Sequence, residues 1–102
     1  MTISEWTWTA LNAGNVNQVP EVGGVYMLGD GSGTPRVFYV GQSSGLRTRL
    51  TQHLNEASNP CISRHVRAGG TYFVYKTVPG GESARTEEER RLIGQYRPEC
   101  NT

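Results

Sequence analysis

Cysteine is scarce in this chain of 102 residues, Cys61 and Cys100 being the only two. Two are too few to build a disulfide scaffold, their separation fits no metal-ligand spacing, and both are compatible with a reducing cytoplasm. Long apolar runs are absent: none approaches the roughly 20 residues that span a bilayer, so no membrane association is expected. The first residues mix polar and acidic side chains with Trp6 and Trp8, which is unlike a secretory signal. No charge sign dominates, since 10 Lys and Arg face 9 Asp and Glu for a net +1. A hydrophobic share of 35% with 19% charged residues excludes a disordered chain, and the length holds one small domain.

The near-zero charge conceals a pattern. Residues 1–35 carry Glu5, Glu21 and Asp30 and no Lys or Arg, a charge of −3. Residues 36–76 carry Arg36, Arg47, Arg49, Arg64, Arg67 and Lys76 against Glu56, a charge of +5. Residues 77–102 return to −1. The cations of the basic middle are almost all arginine, whose planar fork suits bidentate phosphate contact better than a lysine does. Charge alone favours an ordinary solvated surface over a phosphate-binding one.

Residues 1–19 read as a lead-in packed on the domain formed by residues 20–102, with Trp6, Trp8 and Leu11 as its packing residues. Val25-Tyr26-Met27-Leu28 and Arg36-Val37-Phe38-Tyr39-Val40-Gly41 are β-rich and joined by a Gly-rich turn, which predicts a hairpin. Leu46, Leu50 and Leu54 recur at helical spacing, predicting a helix over 46–56. Asn59-Pro60 is a helix start, Ile62 and Val66 give the apolar stripe, and Gly69-Gly70 ends it. Residues 71–78 read as a strand, Pro79-Gly80-Gly81 as a turn, and 83–96 as a last helix stopped by Pro98. The order β-β-α-α-β-α predicts an α/β (α+β) domain with a small, mainly antiparallel three-stranded sheet flanked by helices.

Several residues look misplaced. Leu92, Ile93 and Tyr96 define one face of the last helix, and Glu89 falls within about 15° of its centre. A carboxylate aimed at a core needs a partner or a task. A capping box over Thr86-Glu87-Glu88-Glu89 would supply the partner, and a metal would supply the task. Arg49 and His53 are four apart and share a side of their helix, either as solvated groups or as phosphate contacts at a cleft rim. Tyr26 and Tyr39 occupy the two hairpin strands, where tyrosines ordinarily pack. If both face one side, their hydroxyls line one site, where a phenol can orient or deprotonate a water.

Together these residues resemble the GIY-YIG nuclease domain. Gly24-Val25-Tyr26 and Tyr39-Val40-Gly41 match its two signatures, each with Val for Ile. Arg49, ten residues after Tyr39, stands where the family's catalytic arginine belongs. Glu89 lies where its metal-binding glutamate belongs, and Asn101 ends a closing segment like the family's. His53 matches a histidine found in some homing endonucleases. The similarity runs from about Pro20 to Thr102. Gln42 departs from the lysine that many bacterial members carry, and the residues before the motif are too few for a separate DNA-binding domain.

The resemblance implies a metal-dependent endonuclease acting on DNA. Arg49 would hold the scissile phosphate, Glu89 one Mg²⁺ or Mn²⁺, and Tyr26 and Tyr39 the attacking water, with Tyr26 preferred as base. His53 would be a second base or a phosphate contact. Gly41, Gln42, Arg47 and Asn101 would border the substrate. Proteins of repair or recombination would be further partners. A DNA-binding module that does not cut, or a subunit of a repair or mobile-element complex, is the alternative.

Overall fold

The computed structural model describes residues 3–55 and 59–101. Its centre is β2 (Gly24–Asp30), which pairs antiparallel with β3 (Arg36–Ser43) on one side and β4 (Thr71–Thr77) on the other. β2 is buried along nearly its whole length, as its unbroken apolar run requires. Its side chains alternate between two layers. Val25 and Met27 join Val40, Val74 and Leu92 on one face. Tyr26 and Leu28 join Phe73, Leu46, Leu50 and Ile62 on the other. Helix α4 (Gly81–Tyr96) contributes Leu92 to the first layer, while α1 (Ala13–Val16), α2 (Leu46–Asn55) and α3 (Pro60–Ala68) cover the second. Each fully buried Leu, Val or Phe removes apolar surface worth about 1.5–3 kcal/mol from water.

The helices largely follow their sequence signals. Asn59 caps α3, its side chain accepting from the Cys61 N–H at 2.9 Å and the Ile62 N–H at 3.3 Å, with Pro60 in the first turn. Leu46 and Leu50 are buried on α2, and Leu54 is half-buried. Helix α4 starts at Gly81, two residues before the position expected. It ends at Arg97, whose backbone is left-handed (φ 47°) and whose N–H donates to the Ile93 carbonyl at 2.8 Å. A 3-10 turn, Glu99–Asn101, follows.

Three expectations are corrected. The sheet has four strands, in the order β1-β4-β2-β3, because Thr9–Ala10 (β1) of the lead-in pairs with Phe73 and Tyr72 on the open side of β4. Two residues are too few to show alternation, so this strand had no signature. Trp6 and Tyr96, expected to pack, are 41% and 39% exposed. Cys61 and Cys100, read as separate reduced thiols, are joined in a disulfide with Cα atoms 5.5 Å apart, because the start of α3 meets the 3-10 turn. No helix among the described residues is long and apolar enough to cross a membrane.

Candidate active site

The register of β2 on β3 sets Tyr26 opposite Gly41. Tyr39 lies two residues earlier on β3, so it shares Tyr26's face as a diagonal neighbour. A bulge opposite Leu28 and Gly29 then shifts the pairing of the rest of β3. Both signature glycines have steric reasons. A Cβ at Gly24 would run into the Lys76 carbonyl oxygen and stand 2.8 Å from Leu46 Cδ1. A Cβ at Gly41 would meet the Tyr26 hydroxyl and stand 2.5 Å from its Cζ.

α2 lays His53 against this pair. The rings form a triangle: Tyr26 to Tyr39 6.1 Å, Tyr26 to His53 5.5 Å, and Tyr39 to His53 5.6 Å between centroids. Tyr26 Oη and His53 Nε2 are 2.7 Å apart. Burial, with help from the Arg49 charge, pushes His53 down to about 4, so it is neutral at neutral pH. In its Nδ1–H tautomer, Nε2 then accepts from the Tyr26 hydroxyl. Tyr26 is wholly buried, which raises its pKa, and the neighbouring Tyr39 adds to the shift. Tyr39 is raised by partial burial and then by the Glu89 charge. Burial outweighs Arg49 at Tyr26 and so opposes the phenolate that its expected role as base requires, and Tyr39 is the more accessible phenol.

Arg49 lies one turn before His53, exposed, and forms no ion pair with a described residue. It borders a cleft of about 320 Å³ with Glu21, Ser43, Gly45, Thr48 and Gln52. Glu21 is a neighbour of Arg49 in this cleft that sequence reasoning missed. Its carboxylate accepts from the Thr48 N–H at 3.1 Å and from the Thr48 hydroxyl, capping the first turn of α2. No local signal reveals a cap that comes from 27 residues away.

Glu89 sits in the third turn of α4, half-buried, so the capping box is excluded. Burial raises its pKa, against the pull of the Gln42 backbone N–H and the Arg90 charge. The donor set fits a hard divalent ion that keeps most of its water: a single carboxylate, with no cluster of three metal-donating side chains around it among the described residues.

The remaining candidates have local tasks. Gln42 Oε1 accepts from Arg85 Nε at 3.0 Å, joining β3 to α4. Arg47 Nε donates to the Val19 carbonyl at 2.9 Å. Asn101 clasps Val40, its Oδ1 accepting from the Val40 N–H and its Nδ2 donating to the Val40 carbonyl, both at 2.8 Å. Of the other central cations, Arg64 pairs with Glu99 and Lys76 with Glu88.

A family model described as a domain of unknown function (DUF7508) matches residues 1–97. No curated protein matches the chain. Among solved structures it is similar to the GIY-YIG N-terminal endonuclease domain of UvrC from Thermotoga maritima bound to its catalytic divalent cation, magnesium. That match has a TM-score of 0.68 and 27% identity, and covers 87% of this chain and 93% of that one. A cation-bound tyrosine-to-phenylalanine mutant of the same domain gives 0.67, 27%, 87% and 92%. An asparagine-to-alanine mutant gives 0.65, 26%, 85% and 90%. The fold is that of the GIY-YIG nuclease domain.

Proposed function

The chain belongs to the DUF7508 family of domains of unknown function, and we propose that it is a metal-dependent DNA endonuclease of the GIY-YIG type. One observation carries this reading. Tyr26, Tyr39 and His53 form a ring triangle that feels the charges of Arg49 and Glu89, in a fold shared with endonuclease domains that hold a catalytic cation.

Phosphodiester hydrolysis needs an activated water, stabilisation of charge on the phosphate and neutralisation of the leaving oxygen. Arg49, exposed and without an ion-pair partner among the described residues, grips a non-bridging phosphate oxygen. Tyr39, the accessible phenol, holds the attacking water. Tyr26 donates its hydroxyl as a hydrogen bond to the neutral His53 Nε2 and so fixes the triangle, while the water's proton is relayed through the Tyr39 hydroxyl to solvent, so no resting phenolate is needed. Glu89 holds Mg²⁺ or Mn²⁺, which when bound neutralises charge on the scissile phosphate and leaving group. Asn101 and Gly41 act on substrate through β3, by fixing Val40 and making room for Tyr26.

A second reading, DNA binding without cleavage, is favoured by Gln42. Its side chain is engaged with Arg85, and it offers no cation where many bacterial members carry a lysine. The experiment is incubation with linear, flapped, junction and plasmid DNA, with and without Mg²⁺ or Mn²⁺. Metal-dependent cutting lost in Glu89→Ala and Arg49→Ala supports the nuclease. Cutting that survives both substitutions sinks the site assignment, and salt-dependent binding without cutting supports the second reading.

A further inference from the structure

Away from the ring triangle, four donor side chains converge where α3 meets the 3-10 turn. Cys61, His65, Glu99 and Cys100 each bring a sulfur, nitrogen or oxygen atom within 4.8 Å of the others. Cys61 and His65 are one turn apart on α3, and Glu99 and Cys100 are adjacent in the turn.

The histidine is held as a ligand would be. Its Nδ1 lies 2.6 Å from Asp30 Oδ2, and its ring stacks on Phe38 with centroids 4.1 Å apart and planes 8° apart. Nε2 is thereby aimed at the cluster, 2.6 Å from Glu99 Oε1. A carboxylate on the far nitrogen is the usual support of a metal-bound histidine. Two thiolates and a carboxylate exceed the charge of a divalent ion by one. The Arg64 guanidinium, 3.3 Å from Glu99 Oε1 and 3.9 Å from Cys61 Sγ, supplies the balance. A cavity of about 390 Å³ is bordered by His65 and Glu99, two of the four donors, and by Asp30 and Phe38.

We propose that in the reduced protein Cys61, His65, Glu99 and Cys100 bind one Zn²⁺ tetrahedrally, and that the Cys61–Cys100 disulfide is the oxidised alternative to this site. Two sulfurs, one imidazole nitrogen and one carboxylate oxygen are a zinc donor set; the thiolates disfavour Mg²⁺ and Ca²⁺. The exchange balances. A thiol or phosphine reductant gives two electrons to the S–S bond and is itself oxidised, and the two sulfurs take up two protons. Zn²⁺ then displaces both thiol protons to solvent as two Zn–S bonds form. Either linkage fastens α3 to the segment that carries Asn101.

The test uses Co²⁺ as a spectroscopic stand-in for zinc. The protein is reduced with a phosphine under inert gas and titrated, with thiolate-to-cobalt charge transfer and tetrahedral d–d absorption as readouts. Native mass spectrometry gives the stoichiometry. The expected result is one Co²⁺ per reduced chain, displaced by Zn²⁺, with no thiolate band in the oxidised protein. His65→Ala and Glu99→Ala should each weaken binding about 10-fold or more, and Asp30→Asn by about 10–100-fold. Glu99 is exposed, so its variant keeps the test valid if His65→Ala misfolds. Glu89→Ala should keep the thiolate band, so the result does not depend on nuclease activity. Absence of a thiolate band in the reduced protein overturns the proposal. So does a band whose affinity is the same in wild type, His65→Ala and Glu99→Ala.

Discussion

Tyr26 rests on Gly41: directly across the β2–β3 ladder, its hydroxyl and ring occupy the space that a Gly41 side chain would fill. The second signature glycine is thus a vacancy for the first signature tyrosine. Gly41→Ala is expected to displace the Tyr26 ring, break its 2.7 Å contact with His53, and cost about 1–3 kcal/mol through overpacking. Chemical denaturation of the variant, alongside a cleavage assay, checks both effects. Unchanged stability and unchanged cleavage would contradict this packing.

His53 makes stability depend on pH. Its pKa is about 4 in the folded chain against 6.5 for the free side chain, so the unfolded chain binds the extra proton first. Stability should therefore fall as pH drops from about 6.5 to about 4, by about 3 kcal/mol at most. Glu5, Glu21 and Glu99 are also lowered, from 4.5, so their contributions are lost at lower pH still. Denaturant titrations of wild type and His53→Gln at pH 7 and pH 5 isolate the effect. The variant should lose less stability on acidification.

Arg49 is expected to act on rate and not on stability, being exposed and without an ion pair among the described residues. Arg49→Ala should lower single-turnover cleavage by about 10²–10³-fold, and Arg49→Lys should recover little, because lysine lacks the planar fork. Melting temperatures should match wild type. A large drop in melting temperature would recast Arg49 as structural.

Glu21 holds the start of α2, the helix that carries both Arg49 and His53. Glu21→Ala should cost about 0.5–2 kcal/mol through loss of the cap. Hydrogen exchange of the Thr48 amide should accelerate more than that of the Leu50 amide. Equal protection in the variant would show that the cap is unimportant.

Much of this arrangement could be read from the residues. Leu46, Leu50, Ile62 and Leu92 carry the helical period, and all four are buried. Arg49 and His53 lie one turn apart as their spacing requires, whereas Tyr26 and Tyr39 share a face because the register sets Tyr26 opposite Gly41, which the residues alone leave open. Contacts between groups far apart in the chain left no such trace. The Glu21 cap and the Asp30–His65 pair join exposed or half-buried polar residues that belong to no period, and the Cys61–Cys100 link joins a half-buried cysteine to a buried one 39 residues away. Thr9–Ala10 became a strand only because β4 had an open side. Glu89 was conspicuous as an acid on an apolar face, but its surroundings, Gln42 among them, come from a different strand.

Asn101 has a consequence beyond the site. β3 is an outer strand of the sheet, and an outer strand offers its free backbone groups to any chain that can extend it. The carboxamide of Asn101 has the same donor and acceptor as a peptide group, and it occupies the outward N–H and carbonyl of Val40 as a neighbouring strand would. One side chain thus stands in for a fifth strand at the middle of β3. Without it, the strand bearing Tyr39 and Gly41 would present an open template, and the first symptom would be self-association by sheet extension at high protein concentration.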